Sequence, residues 1–173
     1  MTVRLVLLRC RGHPDVQLYH SSTLEIETEE RLTVRGDCIA CVSCRGDVER
    51  LEEAASGKGL GKLVLAALFP WPPRLAWGVV DGLLPGERPG GRLVARKSCH
   101  RRGSLLVAAS RSAAELPREL ALTLSSGFAR CLAVYASFTP EGFEEEVDAV
   151  YEAAGCVVEN PEGSEGGSPR GES

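Results

Sequence analysis

"TVRLVLLR" (residues 2–9) is a short run of Val and Leu, and it is the first of eight similar segments. It is followed by "VQLYHSSTLEI" (16–26), "CIACVSC" (38–44), "KLVLAALF" (62–69) and "RLAWGVV" (74–80), then by "GRLVARKS" (91–98), "SLLVAAS" (104–110) and "ARCLAVYASF" (129–138). These segments are rich in Val, Leu and Ile and are bounded by Gly, Pro, Asp or Ser clusters, the pattern of strands separated by turns. Short strands at this spacing predict a mainly β fold, a sandwich or a barrel.

Two helices interrupt the strands and a third follows them. "DVERLEEAAS" (47–56) lies between Gly46 and Gly57 with Asp47 as N-cap. "SAAELPRELALTLSS" (112–126) opens with Ser112 and Glu115 in capping-box spacing, and Pro117 either kinks its first turn or marks a later start. In "TPEGFEEEVDAVYEAAG" (139–155), Thr139 is placed as N-cap, Pro140 at the first helical position and Gly155 as the stop. Phe143, Val147, Val150, Tyr151 and Ala154 form one apolar stripe, which packs on the domain's own sheet or, alternatively, on the partner of a homodimer through helix 139–154. The expected organisation is a β domain over 1–137, an acidic amphipathic helix with a short extension over 138–158, and a disordered Gly/Ser/Glu tail over 159–173.

A chain of 173 residues with 43% apolar content is long enough for one domain with a real core. Arg4 and Arg9 interrupt the first apolar stretch, as no secretory signal allows, and "LVLAALFPWPP" (63–73) falls short of the roughly 18 residues of a membrane helix. The reading is a cytoplasmic protein without a membrane partner, its seven cysteines reduced thiols rather than a disulfide framework. Charge is divided along the chain. Residues 1–139 hold 19 Lys and Arg against 14 acids, whereas residues 140–173 hold one Arg against ten acids. Seventeen of the 20 cations are Arg, the side chain suited to bidentate contacts with phosphate or carboxylate, although a GC-rich genome also favours Arg.

"CIACVSC" has the C-x2-C-x2-C spacing of a metal site. Read as a strand, however, it puts Cys38 and Cys44 on one face and Cys41 on the other, so the three thiolates do not converge and no metal is expected. "GKGLGK" (57–62) lacks the first Gly and the final Ser or Thr of a phosphate loop, and reads as a connector. "RKSCHRR" (96–102) gathers Arg96, Lys97, His100, Arg101 and Arg102 at a strand end, with Arg96 and Ser98 on one strand face. Only nine aromatic residues occur in the chain and none interleaves this cluster, so a base-stacking surface is not indicated. In 16–26, strand alternation places Leu18, His20, Ser22, Leu24 and Ile26 on one face, with His20 beside the core.

"GHPDVQLYHSSTLEI…LTVRGDCIACV" resembles the signature of DUF371, a conserved archaeal family of unknown function, and "RKS" and "SAAELPREL" are similar to later segments of that family. The resemblance implies a jelly-roll-like β-sandwich with two or three peripheral helices and no established activity or cofactor. Asp15 stands where the family usually has Asn, and "CHRRGS" (99–104) departs from its usual loop. By position it marks Gly12, His13, Pro14, His20, Thr23, Glu25, Thr33, Arg35, Gly36, Asp37, Cys38, Arg96 and Ser98 as a shared polar set.

Three functional expectations follow. The first is a binding module for an anionic, phosphate-bearing ligand or a nucleic-acid backbone, in which Arg35, Arg96 and His13 meet and Ser98, Thr23 and Glu25 contribute. The second is a hydrolase or transferase with His13 or His20 as general base, Asp37 or Glu25 as orienting carboxylate and Cys38 as spare nucleophile; a metal on the two histidines and a carboxylate is a variant of it. The third is an interaction subunit whose acidic C-terminal segment contacts a partner or shields the basic body.

Overall fold

In the first strand, β1 (Thr2–Arg11), Val6, Leu8 and Cys10 are buried while Leu5, Leu7 and Arg9 point outward, the period-two pattern of a half-covered sheet. The computed structural model describes residues 1–32 and 36–157. The tail expected over 159–173 lies outside the described residues. The other strands are β2 (Thr23–Ile26), β3 (Ile39–Gly46), β4 (Leu60–Pro70), β5 (Pro73–Leu83), β6 (Leu93–Arg96), β7 (Ser104–Leu106) and β8 (Arg130–Thr139), and the fold is mainly β as the strand pattern predicts. They form a single sheet in the order β5-β4-β8-β1-β3-β2-β6-β7.

This sheet bends over itself. Leu83 at the end of β5 and Val107 just past β7 exchange two backbone hydrogen bonds of 2.9 Å, tying the two edges together. Tyr135 of β8 crosses the enclosed core and its hydroxyl donates to the Leu105 carbonyl at 2.7 Å. Residues from both ends of the strand order, among them Leu8, Leu24, Leu65, Leu93 and Leu106, pack into one cluster, so the sheet encloses a shared main core. At Gly61 an added Cβ would lie 2.4 Å from Leu106 Cδ2 and 3.0 Å from Leu84 Cδ2, so any side chain here would displace these two buried leucines.

The helices fit the expectations unevenly. α1 (Val48–Ala55) starts as expected, with the Asp47 carboxylate accepting from the Arg50 N–H at 3.0 Å, and buries Leu51, Ala54 and Ala55. The stretch 112–126 is divided at Pro117: a 3-10 turn (Ala113–Glu115) precedes α2 (Arg118–Leu124), because proline offers no N–H and disfavours helix in the residue before it. α3 (Glu144–Ala153) begins later than Thr139, which instead ends β8 opposite Thr2; the chain turns at Gly142, φ +81°, before the helix starts. α3 docks on its own domain through Tyr151, whose hydroxyl accepts from the Gly59 N–H at 3.1 Å and donates to the Leu84 carbonyl at 2.6 Å. Phe143 and Val150 of the expected stripe remain exposed.

Two further expectations are corrected. The reduced-thiol reading gives way to disulfides Cys10–Cys44 and Cys99–Cys156, formed where antiparallel β1 and β3, and the α3 terminus and the 97–103 loop, bring Cα atoms to 4.0 and 5.3 Å. Cysteine number and spacing along the chain cannot show such proximity. The strand expected over 16–26 is limited to 23–26: Leu18 has φ +54°, and the chain before β2 is held as a loop by Gln17, Tyr19 and His20 N–H donating to the Gly36 and Asp37 carbonyls. Among the described residues no helix is long and apolar enough to cross a membrane.

Candidate functional site

The polar residues singled out in the sequence divide into three places. His13 lies in the turn at Pro14–Asp15, its Nδ1 accepting from the Asp15 N–H at 3.1 Å and standing 3.8 Å from the Asp15 carboxylate. Gly12 before it sits against the end of α2, where a Cβ would be 2.4 Å from the Leu124 carbonyl oxygen. His20 closes the turn into β2: its Nδ1 accepts from the N–H groups of Ser22 at 3.3 Å and Thr23 at 3.2 Å, with the Thr23 hydroxyl at 3.0 Å. Those N–H donors require an unprotonated Nδ1, so the ring proton sits on Nε2. Asp37 meets His20 through its backbone carbonyl. Among the described residues no hydrogen bond or ion pair joins a side chain of His13 to His20, Asp37 or Arg96. Arg35 and Thr33 lie outside the described residues.

Thr23, Glu25, Cys38 and Arg96 do come together around β2. Thr23 stands opposite Arg96 in the β2–β6 register, and the Cys38 thiol points at the Glu25 carboxylate at 4.0 Å. The Glu25 side chain is only 14% exposed, with Arg92 at 3.8 Å. Burial raises its pKa above the ordinary carboxylate value, against the lowering pull of Arg92. Burial and the nearby Glu25 and Asp37 charges likewise raise the Cys38 thiol, which is the opposite of what an activated nucleophile needs. Arg96 donates to the Ser104 hydroxyl at 3.0 Å, Lys97 pairs with Glu115, and Arg101 donates to the Pro85 and Cys156 carbonyls. Ser98 is exposed on the loop and accepts from the His100 N–H at 3.4 Å. The "RKSCHRR" cations are thus largely engaged in holding their own loop.

A different group of cations converges on the outer face of the sheet. Arg9 faces Arg45 across β1–β3 and Arg11 faces Arg130 across β1–β8, so strand pairing alone gathers four guanidinium groups. They rim a cavity of about 660 Å³ whose walls include Ala66 and Leu68 of β4, Leu75 of β5 and Leu132 of β8. Among the described residues none of the four has a carboxylate partner. The only hydrogen bond given by one of these side chains to a described residue runs from Arg45 to the Thr28 carbonyl at 2.9 Å. Leu5, Leu7, Val3 and Trp77 extend the exposed apolar surface beyond the cavity. The signal in the sequence was the alternation of Arg with Cys, as in "RCR" (9–11) and "ARC" (129–131): the cysteines turn inward and the arginines outward.

No curated protein matches the chain. Residues 8–58 match the family model described as Domain of unknown function (DUF371), a span that ends before the "RKS" and "SAAELPREL" segments. The chain carries the DUF371 signature over residues 8–58, as the resemblance of "GHPDVQLYHSSTLEI" and "RGDCI" implies.

Proposed function

We propose that this chain is a binding module for an anionic, phosphate-bearing ligand, held in the cleft rimmed by Arg9, Arg11, Arg45 and Arg130. The carrying observation is four arginines lining one cleft with no carboxylate partner among the described residues. Four arginines lining one cleft leave positive charge there that a seated anion offsets while accepting charge-assisted hydrogen bonds. The walls formed by Ala66, Leu68, Leu75 and Leu132 favour a ligand that joins the phosphate to an apolar portion, since burying those side chains adds to affinity.

Trp77, opposite Ala66 in the β4–β5 register, is a built-in fluorescence reporter. The test is a titration with dodecyl phosphate, inorganic phosphate and a single-stranded RNA at several salt concentrations. Saturable quenching by dodecyl phosphate, tighter than by inorganic phosphate and weakened by salt, supports the reading. Binding of RNA alone, with four contacts giving a slope of about −3 in log affinity against log salt, would move the ligand class to a nucleic-acid backbone. Absence of binding by all three probes overturns the proposal.

A further inference from the structure

Behind the cleft, three of the seven cysteines converge and a fourth lies beside them. The sulfur atoms of Cys10, Cys41 and Cys44 all lie within 4.8 Å of one another. Cys131 stands opposite Cys10 in the β1–β8 register, and its side chain neighbours Cys41. All four residues are buried, none more than 5% exposed. Strand alternation argues against such convergence, but β3 does not alternate here. Ser43 takes φ +53° and the β1–β3 register shifts between Arg9 and Arg11, so the C-x2-C pair Cys41 and Cys44 turns to one side.

The Cys41–Cys44 pair already has the spacing of two ligands on one tetrahedral ion. With zinc–sulfur bonds of about 2.3 Å, adjacent ligands of a tetrathiolate are separated by about 3.8 Å. Cys41 Sγ and Cys44 Sγ are 3.7 Å apart. The local charge also fits. Four thiolates around Zn2+ carry a net charge of −2, which a buried site tolerates only with compensation. Arg9 and Arg11 flank Cys10, Arg45 follows Cys44 and Arg130 precedes Cys131, so four guanidinium groups lie across the sheet from the sulfurs.

We infer that, in the reduced chain, Cys10, Cys41, Cys44 and Cys131 form a closed structural Zn2+ site, and that the Cys10–Cys44 disulfide is its oxidised alternative. Conversion requires an external thiol reductant. Two equivalents of thiol give two electrons and two protons to the disulfide and leave as their own disulfide; Zn2+ then displaces four protons from the four thiols. The site does not depend on the reading of the cleft.

The test uses the full chain, purified under a thiol reductant from zinc-supplemented cells and assayed for metal by mass spectrometry. The expected content is about one equivalent of zinc per chain, lost in Cys41→Ser and in Cys131→Ser and kept in Cys38→Ser. Should the serine variants not fold, the wild-type chain reduced and reloaded with Co2+ decides: intense tetrahedral d–d bands with thiolate charge transfer support the site. Less than about a tenth of an equivalent of zinc, iron in its place, zinc retained in both serine variants, or an octahedral Co2+ spectrum overturns it.

Discussion

His20 is the residue at which a structural and a catalytic role part most clearly, and replacing it separates them. Its Nδ1 accepts from the backbone N–H groups of Ser22 and Thr23 at 3.3 and 3.2 Å, the arrangement by which a side-chain oxygen caps a helix or an Asx turn. Loss of one such cap costs about 1 kcal/mol, and two partly exposed donors returned to water together cost about 1–2 kcal/mol. His20→Ala therefore lowers the thermal midpoint of this chain by about 2–8 °C. His20→Asn, whose amide oxygen reaches the same N–H groups, recovers most of that loss. Urea unfolding followed by tryptophan fluorescence measures both variants, and dodecyl phosphate affinity stays at the wild-type value in each. An Ala variant as stable as wild type, or an Asn variant as damaged as the Ala one, would refute the capping role; loss of ligand binding in both would return His20 to the site.

Tyr151→Phe removes the hydroxyl that serves two backbone groups, the Gly59 N–H and the Leu84 carbonyl, and costs about 2–3 kcal/mol, with loss of hydrogen-exchange protection confined first to α3. Protection of 144–153 unchanged from wild type would contradict it. Because burial raises the Glu25 pKa, the folded chain binds more protons than the unfolded one between the ordinary carboxylate value and the raised one, and stability falls as pH rises through that window. Glu25→Gln removes this penalty, so the variant is the more stable at neutral pH and its advantage vanishes below about pH 4. Chemical denaturation at a series of pH values checks it, and an advantage that grows on acidification is the contrary result.

Strand content was legible because Val- and Leu-rich segments bounded by turn residues depend on local chemistry, and each of the eight segments contains a paired strand. The segment 16–26, which keeps only its last four residues as β2, shows what local pattern misses. Leu18 is buried in a left-handed conformation and its neighbours hydrogen-bond to 36–37, a long-range arrangement that alternation cannot encode. Likewise Thr139 has the chemistry of an N-cap, but pairing with Thr2 keeps it in β8. The polar set of the resemblance reassembled only around Thr23, Glu25, Cys38 and Arg96, since His13 and His20 each commit Nδ1 to their own turn. The four-arginine cleft was illegible for a different reason: Arg9, Arg45 and Arg130 are far apart in sequence, and only the β3-β1-β8 order makes them neighbours. One left-handed residue, Ser43, similarly reversed the reading of the C-x2-C pair.

The most direct test of the binding account is amide chemical-shift mapping of the 15N-labelled chain during titration with dodecyl phosphate. The account predicts saturable shifts concentrated at 9–11, 45, 66–68, 75–77 and 130–132, abolished by joint replacement of Arg11 and Arg130 with Gln. Each guanidinium–phosphate contact is worth about 1.5–3 kcal/mol, so the double variant binds about 100-fold more weakly or worse. Shifts that gather instead around His13, His20 and Cys38 or along 96–102, or that persist in the double variant, would contradict it.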